Sequence, residues 1–206
     1  MPTVAKIETL EQLRALYKAP AERTLQKELH RLDKHCRAII ARAPFMLLAT
    51  SSADGPADLS PRGGEPGFVR VADDRTLEIP DSPGNNRLDT LTNIVSNPEV
   101  AAIFLVPGMD ETLRINGKAE IFDDADLCAA FAVKGRPPKA VIRVTVRDAY
   151  LHCAKALMRS RLWDPDARID RASLPTVGQM LKDHIGHDDP PETREEMLER
   201  YKDALY

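Results

Sequence analysis

The chain of 206 residues is long enough for one domain with a substantial core, or for such a domain with helical extensions. Its composition is that of a soluble globular protein, 43% hydrophobic, 30% charged and 5% aromatic, and a formal net charge of −3 with Lys and Arg dispersed argues against nucleic-acid binding. No apolar run approaches the roughly 18 residues of a membrane span. No signal-peptide pattern opens the chain, and its three cysteines, Cys36, Cys128 and Cys153, are too scattered for a disulfide framework or a zinc knuckle, so a cytoplasmic location is expected.

Residues 8–17 read as a short amphipathic segment interrupted at Pro20. From Glu22 to Arg42 the apolar positions Leu25, Leu29, Leu32, Cys36, Ile39 and Ile40 recur at helical spacing, which predicts one helix with a buried stripe, ended by Pro44. The period then changes. FMLLAT (45–50) and ADLSPR (57–62) flank the turn signal at Asp54-Gly55 and read as a hairpin. FVRV (68–71) and TLEIP (76–80) read as a second one, followed by a helix from about Asn86 to Ser96 that Asn97-Pro98 stops. VAAIFLV (100–106) is a continuous apolar strand. ETLRINGKAEIF (111–122) returns from it, with a bulge expected at Gly117. Asp123 is placed to cap a short helix, with Asp126 at a capping-box position and Gly135 beyond its end. AVIRVTV (140–146) alternates as a half-buried strand does, and from Leu151 to Trp163 the chain turns helical and cationic. DPDARID is a loop, and 176–184 and 191–205 predict two further helices. Six or seven short strands in hairpin order with one inserted helix predict a mainly antiparallel β barrel with flanking helices, an α+β arrangement. Residues 1–44 and 164–206 are expected to be helical extensions of a domain spanning 45–163.

Four stretches carry candidate chemistry. In IPDSPGNNR (79–87) a strand passes through a Pro83-Gly84 turn into a helix with Asn85 or Asn86 as N-cap and Asp89 three residues beyond Asn86. A helix start with an arginine, Arg87, inside it suits a phosphate; the same pattern also describes a capped helix with a solvated arginine. In LSPRGGEPG (59–67), Ser60 and Arg62 share one strand face before two glycines. If the two hairpins pack side by side, Arg62 and Arg87 converge on one anion. In HCAKALMRSRLW (152–163), Lys155 and Arg159 share a helix face behind His152, a cationic stripe that ordinarily faces solvent. In DHIGHDD (183–189), His184 and His187 with Asp183, Asp188 and Asp189 resemble a metal cluster, but Gly186 interrupts the spacing, no HExxH is present and no metal site is expected.

The motifs SPRG, PGFVRV, PGNNR, NP, PGMDETLRINGKA and HCAKALMRSRLW occur in one order over 45–122 and 140–163. In this the chain resembles the pyridoxamine 5′-phosphate oxidase-like flavoproteins, in particular a branch of uncharacterised FMN-dependent enzymes. The resemblance implies a split β-barrel that forms a homodimer with FMN at the subunit interface. It implies that Ile79, Pro80 and Asp81 lie along the flavin or its ribityl chain, that Asn85, Asn86 and Arg87 meet the phosphate, and that Ser60 and Arg62 flank the same cofactor. Thr112 falls at a polar FMN contact from the same or the other subunit. His152 falls near a flavin-contacting position, with Lys155, Arg159 and Ser160 on the substrate or phosphate side; His152 and Lys155 are the candidates for polarising substrate. The RxVLLK motif and the C-terminal Arg–His motif of the true oxidase are absent, which argues against pyridoxamine phosphate as substrate. Gly64 and Ser82 stand where the branch carries an acid and an arginine. The expected activity is FMN-dependent oxidoreduction of a small organic substrate. The alternatives are a flavin-binding or storage protein without turnover, and the same barrel holding a deazaflavin or haem.

Overall fold

The structure is a computed structural model and describes residues 5–186 and 190–202. Seven strands form one antiparallel sheet: β1 (Phe45–Ser51), β2 (Ala57–Gly63), β3 (Arg70–Val71), β4 (Thr76–Pro80), β5 (Glu99–Leu105), β6 (Thr112–Phe122) and β7 (Val141–His152), in the order β2-β1-β5-β6-β7-β4-β3. The helices are α1 (Leu10–Ala15), α2 (Glu22–Gln26), α3 (Lys34–Ile40), α4 (Asp89–Ser96), α5 (Ala125–Ala129), α6 (Lys155–Ser160), α7 (Val177–Ile185) and α8 (Arg194–Lys202). The sheet curls on itself. Arg62 of β2, first in the strand order, donates to Asp81 just beyond β4, sixth in that order, at 2.7 Å. α4 lies against β1, β2 and β6.

Alternation builds the core. Met46 and Leu48 of β1, Leu77 and Ile79 of β4, Phe104 of β5, Leu113 and Ile115 of β6 and Ile142 of β7 are all at most 1% exposed. The bulge expected at Gly117 is present as a register shift between Asn116 and Gly117. A Cβ there would come within 2.2 Å of the Thr145 carbonyl oxygen, so only glycine lets β6 and β7 approach this closely.

Three sequence expectations are corrected. The helix over 22–42 is broken into α2 and α3. Between them Leu29 and Ala149 exchange backbone hydrogen bonds of 2.9 and 2.8 Å. β4 pairs with β7 only as far as Thr145, so the rest of that edge is open to another partner, and the N-terminal segment takes it. Asp33 then starts α3 by accepting from the His35 and Cys36 amides at 2.9 and 2.8 Å. Second, β7 does not stop at 146 but runs to His152 in register with β6, so Leu151 and His152 are strand residues and the cationic helix shrinks to α6. Third, α4 starts at Asp89, not at Asn86. Smaller shifts follow the same logic: FVRV supplies only the two residues of β3, and Asp124, not Asp123, caps α5 by accepting from the Leu127 amide.

Candidate functional site

Ser60 and Arg62 lie on the half-buried face of β2, as their spacing predicts. The Asp81 amide donates to the Ala140 carbonyl at 2.9 Å, continuing the β4–β7 ladder one residue past Pro80 and fixing the carboxylate opposite Arg62. That ion pair is 18% exposed on both sides. It lines an open cleft of about 890 Å³ together with Ser60, Asn85, Asn86, Arg87, Pro137, Pro138 and Lys139. Six of the sequence-predicted residues are therefore brought to one place. Ile79 is not among the residues lining the cleft: it is fully buried in the core, paired with Ile142. Pro80 borders a smaller neighbouring chamber.

The start of α4 differs from the expected cap. Asn85 accepts from the Arg87 amide at 3.1 Å, closing a local turn, and Asn86 and Leu88 hold left-handed backbone at φ 59° and 61°. Leu88 is the N-cap residue and has no polar side chain to offer, so the first turn of α4 opens on the cleft without a side-chain cap. Thr90, 3% exposed, donates from its hydroxyl to Ser60 Oγ at 3.0 Å. The sequence reading missed Thr90 and Lys139. A threonine in a helix carries no signal of its own, and Lys139 reaches the rim only through the return of the chain into β7.

Two features prepare this cleft for an anion. Arg62 Nε is buried without a hydrogen-bond partner among the described residues, although its Nη1 is committed to Asp81. The cations Arg62, Arg87 and Lys139 outnumber the acids Asp81 and Asp89 along the lining. Arg87 is 74% exposed and leans on Asp89 at 2.9 Å, so its side chain is free to swing toward a ligand.

The remaining predicted residues are elsewhere. Thr112 and His152 face each other across β6 and β7. Val141, at the other end of the 12-residue β7, pairs with Pro80 beside the cleft. At about 3.3 Å per residue the two ends are roughly 36 Å apart along the strand. His152 Nε2 is buried and unpartnered among the described residues, and the ring centroid lies 5.3 Å from that of Tyr150. Burial, with the positive charges of Arg114 and Lys27, lowers the His152 pKa and keeps the imidazole neutral at pH 7. Lys155, Arg159 and Ser160 are exposed on α6, and Ser160 donates to the Leu157 carbonyl of its own helix at 2.9 Å. None of these five lines the cleft of the same chain.

Asp183 and His184 lie at the exposed end of α7, and Asp183 accepts from Gln179 at 2.7 Å. His187, Asp188 and Asp189 lie outside the described residues, among which no cluster of three metal-ligating groups occurs. No helix among the described residues is long and apolar enough to cross a membrane.

The family model described as pyridoxamine 5′-phosphate oxidase matches residues 32–153. Among solved structures, HupZ from Group A Streptococcus is similar at 22% identity over 58% of this chain and 92% of that chain, with a TM-score of 0.48. A putative pyridoxamine 5′-phosphate oxidase from Lactobacillus delbrueckii is similar at 22% identity over 60% and 98%, with a TM-score of 0.47. General Stress Protein 26 from Bacillus anthracis is similar at 17% identity over 55% and 88%, with a TM-score of 0.43. No curated protein matches the chain.

Proposed function

Because the chain belongs to the pyridoxamine 5′-phosphate oxidase family, we propose that it is an FMN-dependent oxidoreductase whose Arg62 cleft holds the cofactor's phosphate. The observation that carries this reading is the buried, unpartnered Nε of Arg62 on the same cleft as the uncapped start of α4. A phosphate oxygen is the acceptor both lack. Ser60 and Thr90 add hydroxyls at that end, and Asn85, Asn86 and Arg87 close over it. Asp81 holds the guanidinium in place while leaving Nε unengaged. The residues present therefore fit a phosphorylated cofactor even with Ser82 in place of an arginine. Bound FMN supplies two-electron redox chemistry at its ring. The chain's own task is to bind it, orient it and exclude water around it.

His152 and Thr112 belong to this reading only through a second copy. One chain sets them at the far end of β7 from its own cleft, so a homodimer that presents one copy's Thr112–His152 end to the other's cleft completes the site. There His152, neutral and with Nε2 unengaged, holds or accepts a proton, and Lys155, Arg159 and Ser160 border the substrate side.

The test is FMN titration of the purified protein, followed by absorbance and flavin fluorescence, with the mass in solution measured in parallel. The reading expects saturable flavin binding by a species of twice the chain mass. No flavin spectrum in excess FMN, or a monomer that binds it fully, contradicts it. Reoxidation kinetics of the photoreduced flavin with candidate acceptors then separate turnover from storage. A deazaflavin or haem spectrum in its place identifies the same barrel with another ligand.

A further inference from the structure

A polar stripe ties α4 to the β1–β2 hairpin. Thr90 donates to Ser60 Oγ at 3.0 Å, Asn93 Nδ2 to Thr50 Oγ1 at 3.1 Å and Asn97 Nδ2 to Ser51 Oγ at 3.1 Å. Steps of three and four residues put the three donors on one face of the helix. Apolar contacts hold the same helix, through buried Ile94 and half-buried Leu91. Apolar packing alone tolerates a helix that slides, whereas matched polar pairs specify one placement. Thr90 is the member of the stripe that lines the cleft, and it is 3% exposed.

The direction of the Thr90–Ser60 hydrogen bond decides what the cleft offers a ligand. Ser60 Oγ also lies 3.4 Å from Asp58 Oδ2. A carboxylate oxygen accepts, so that contact takes the single hydrogen of Ser60, and the hydrogen between the two hydroxyls comes from Thr90. Ser60 therefore accepts on its α4 side and is left to donate on the other. Its contact with Asp58 is at the outer limit of a hydrogen bond, and Asp58 is not among the residues lining the cleft, whereas Ser60 is. Thr90, with its one hydrogen given to Ser60, has none for a ligand.

We propose that Thr90 is a positioning residue of the cleft: by donating to Ser60 it presents the Ser60 hydroxyl as a donor to a phosphate oxygen, without donating to the ligand itself. A phosphate oxygen takes the Ser60 hydrogen in place of the distant Asp58, and the Thr90 contact stays as it is. Without the Thr90 hydroxyl nothing holds Ser60 Oγ from the helix side, and the serine is free to rotate away. The phosphate in this proposal rests on the FMN reading above; the direction of the Thr90–Ser60 bond does not.

The test uses the full chain, with FMN and riboflavin followed by flavin fluorescence and inorganic phosphate followed by phosphorus NMR line width. Thr90→Val is expected to weaken FMN about fivefold and to leave riboflavin, which has no phosphate, within about twofold. Thr90→Ser restores the hydroxyl and is expected to keep FMN within about twofold of the wild type. In a Ser60→Ala background, Thr90→Val is expected to add less than about twofold, because the two hydroxyls act as one donor. Asn97→Ala, at the far end of the stripe, is expected to lower the denaturation midpoint and to leave FMN affinity within about twofold. Wild-type FMN affinity in Thr90→Val, equal losses of FMN and riboflavin, no rescue by Thr90→Ser, full additivity with Ser60→Ala, or an equal loss in Asn97→Ala overturns the proposal. Phosphate bound by the wild type and more weakly by Thr90→Val, with no FMN binding, removes the FMN reading and keeps the role of Thr90. Binding of neither FMN nor phosphate overturns both.

Discussion

β4 and its continuation carry two carboxylates three residues apart, each paired with arginine, and the two pairs are built for different ends. Glu78 is closed: its side chain is 3% exposed, both oxygens are engaged by Arg70 and Arg143, and those guanidiniums stack on Phe131 and Phe122. Asp81 is open: its partner Arg62 keeps a buried Nε without an acceptor among the described residues, and the pair faces a cleft. The first arrangement satisfies its donors internally and holds strands together. The second leaves a buried donor without a partner among the described residues, on a side chain that lines an open cleft. Arginine and carboxylate side by side do not by themselves tell a site from a brace; the proposed cofactor site rests on the unsatisfied hydrogen bond.

The largest effect expected from breaking this contrast is on stability at Glu78. Glu78→Ala leaves two guanidiniums without their shared partner and costs about 3 kcal/mol, the low end for a broken buried pair because both arginines retain some solvent contact. Chemical denaturation measures it, and variant protein that remains folded binds FMN as the wild type does.

Next is the loss of ligand affinity at Arg62. A hydrogen bond to a charged group contributes about 1.5–3 kcal/mol, so Arg62→Ala weakens FMN binding roughly ten- to hundredfold. Its denaturation midpoint also falls, but by less than that of Glu78→Ala, because Asp81 borders the open cleft.

Acid sharpens the comparison through Glu78. Burial opposes its charge, but the hydrogen bonds from Arg70 and Arg143 and their positive charge prevail and hold its pKa below the ordinary carboxylate value. A depressed folded pKa means that this contribution is fully present above the unfolded carboxylate pKa. It is lost as pH falls from there through the folded value. Thermal melts between pH 7 and pH 3 therefore show a smaller acid-induced drop in Glu78→Gln than in the wild type.

The smallest effect is at Arg87. Its 74% exposure and its ion pair with Asp89 leave it as an adaptable arm, and Arg87→Ala weakens FMN binding about threefold by the same titration.

Much of this was legible in the sequence. The strand pattern predicted the hairpins, Gly117 predicted the bulge, and the two-residue spacing of Ser60 and Arg62 put them on one face. Patterns fixed by neighbours far along the chain were not legible. Leu29 left its helix because β7 had an unpaired edge, and β7 continued to His152 because β6 paired with it throughout. Asn85 and Asn86 have the composition of a helix cap, but Asn85 closes a turn and leaves the start of α4 uncapped. Thr90 became part of the cleft only through its hydroxyl contact with Ser60. The separation of His152 from Arg62 is a consequence of sheet order, which no local motif reports.

The central claim is that the open pair, Arg62–Asp81, marks the cofactor site. Parallel FMN titrations of wild type, Arg62→Ala and Glu78→Gln test it most directly. The account predicts saturable binding by wild type, near-wild-type affinity in folded Glu78→Gln, and at least tenfold weaker binding in Arg62→Ala. Equal affinity in wild type and Arg62→Ala, or no FMN binding by the wild type, contradicts it.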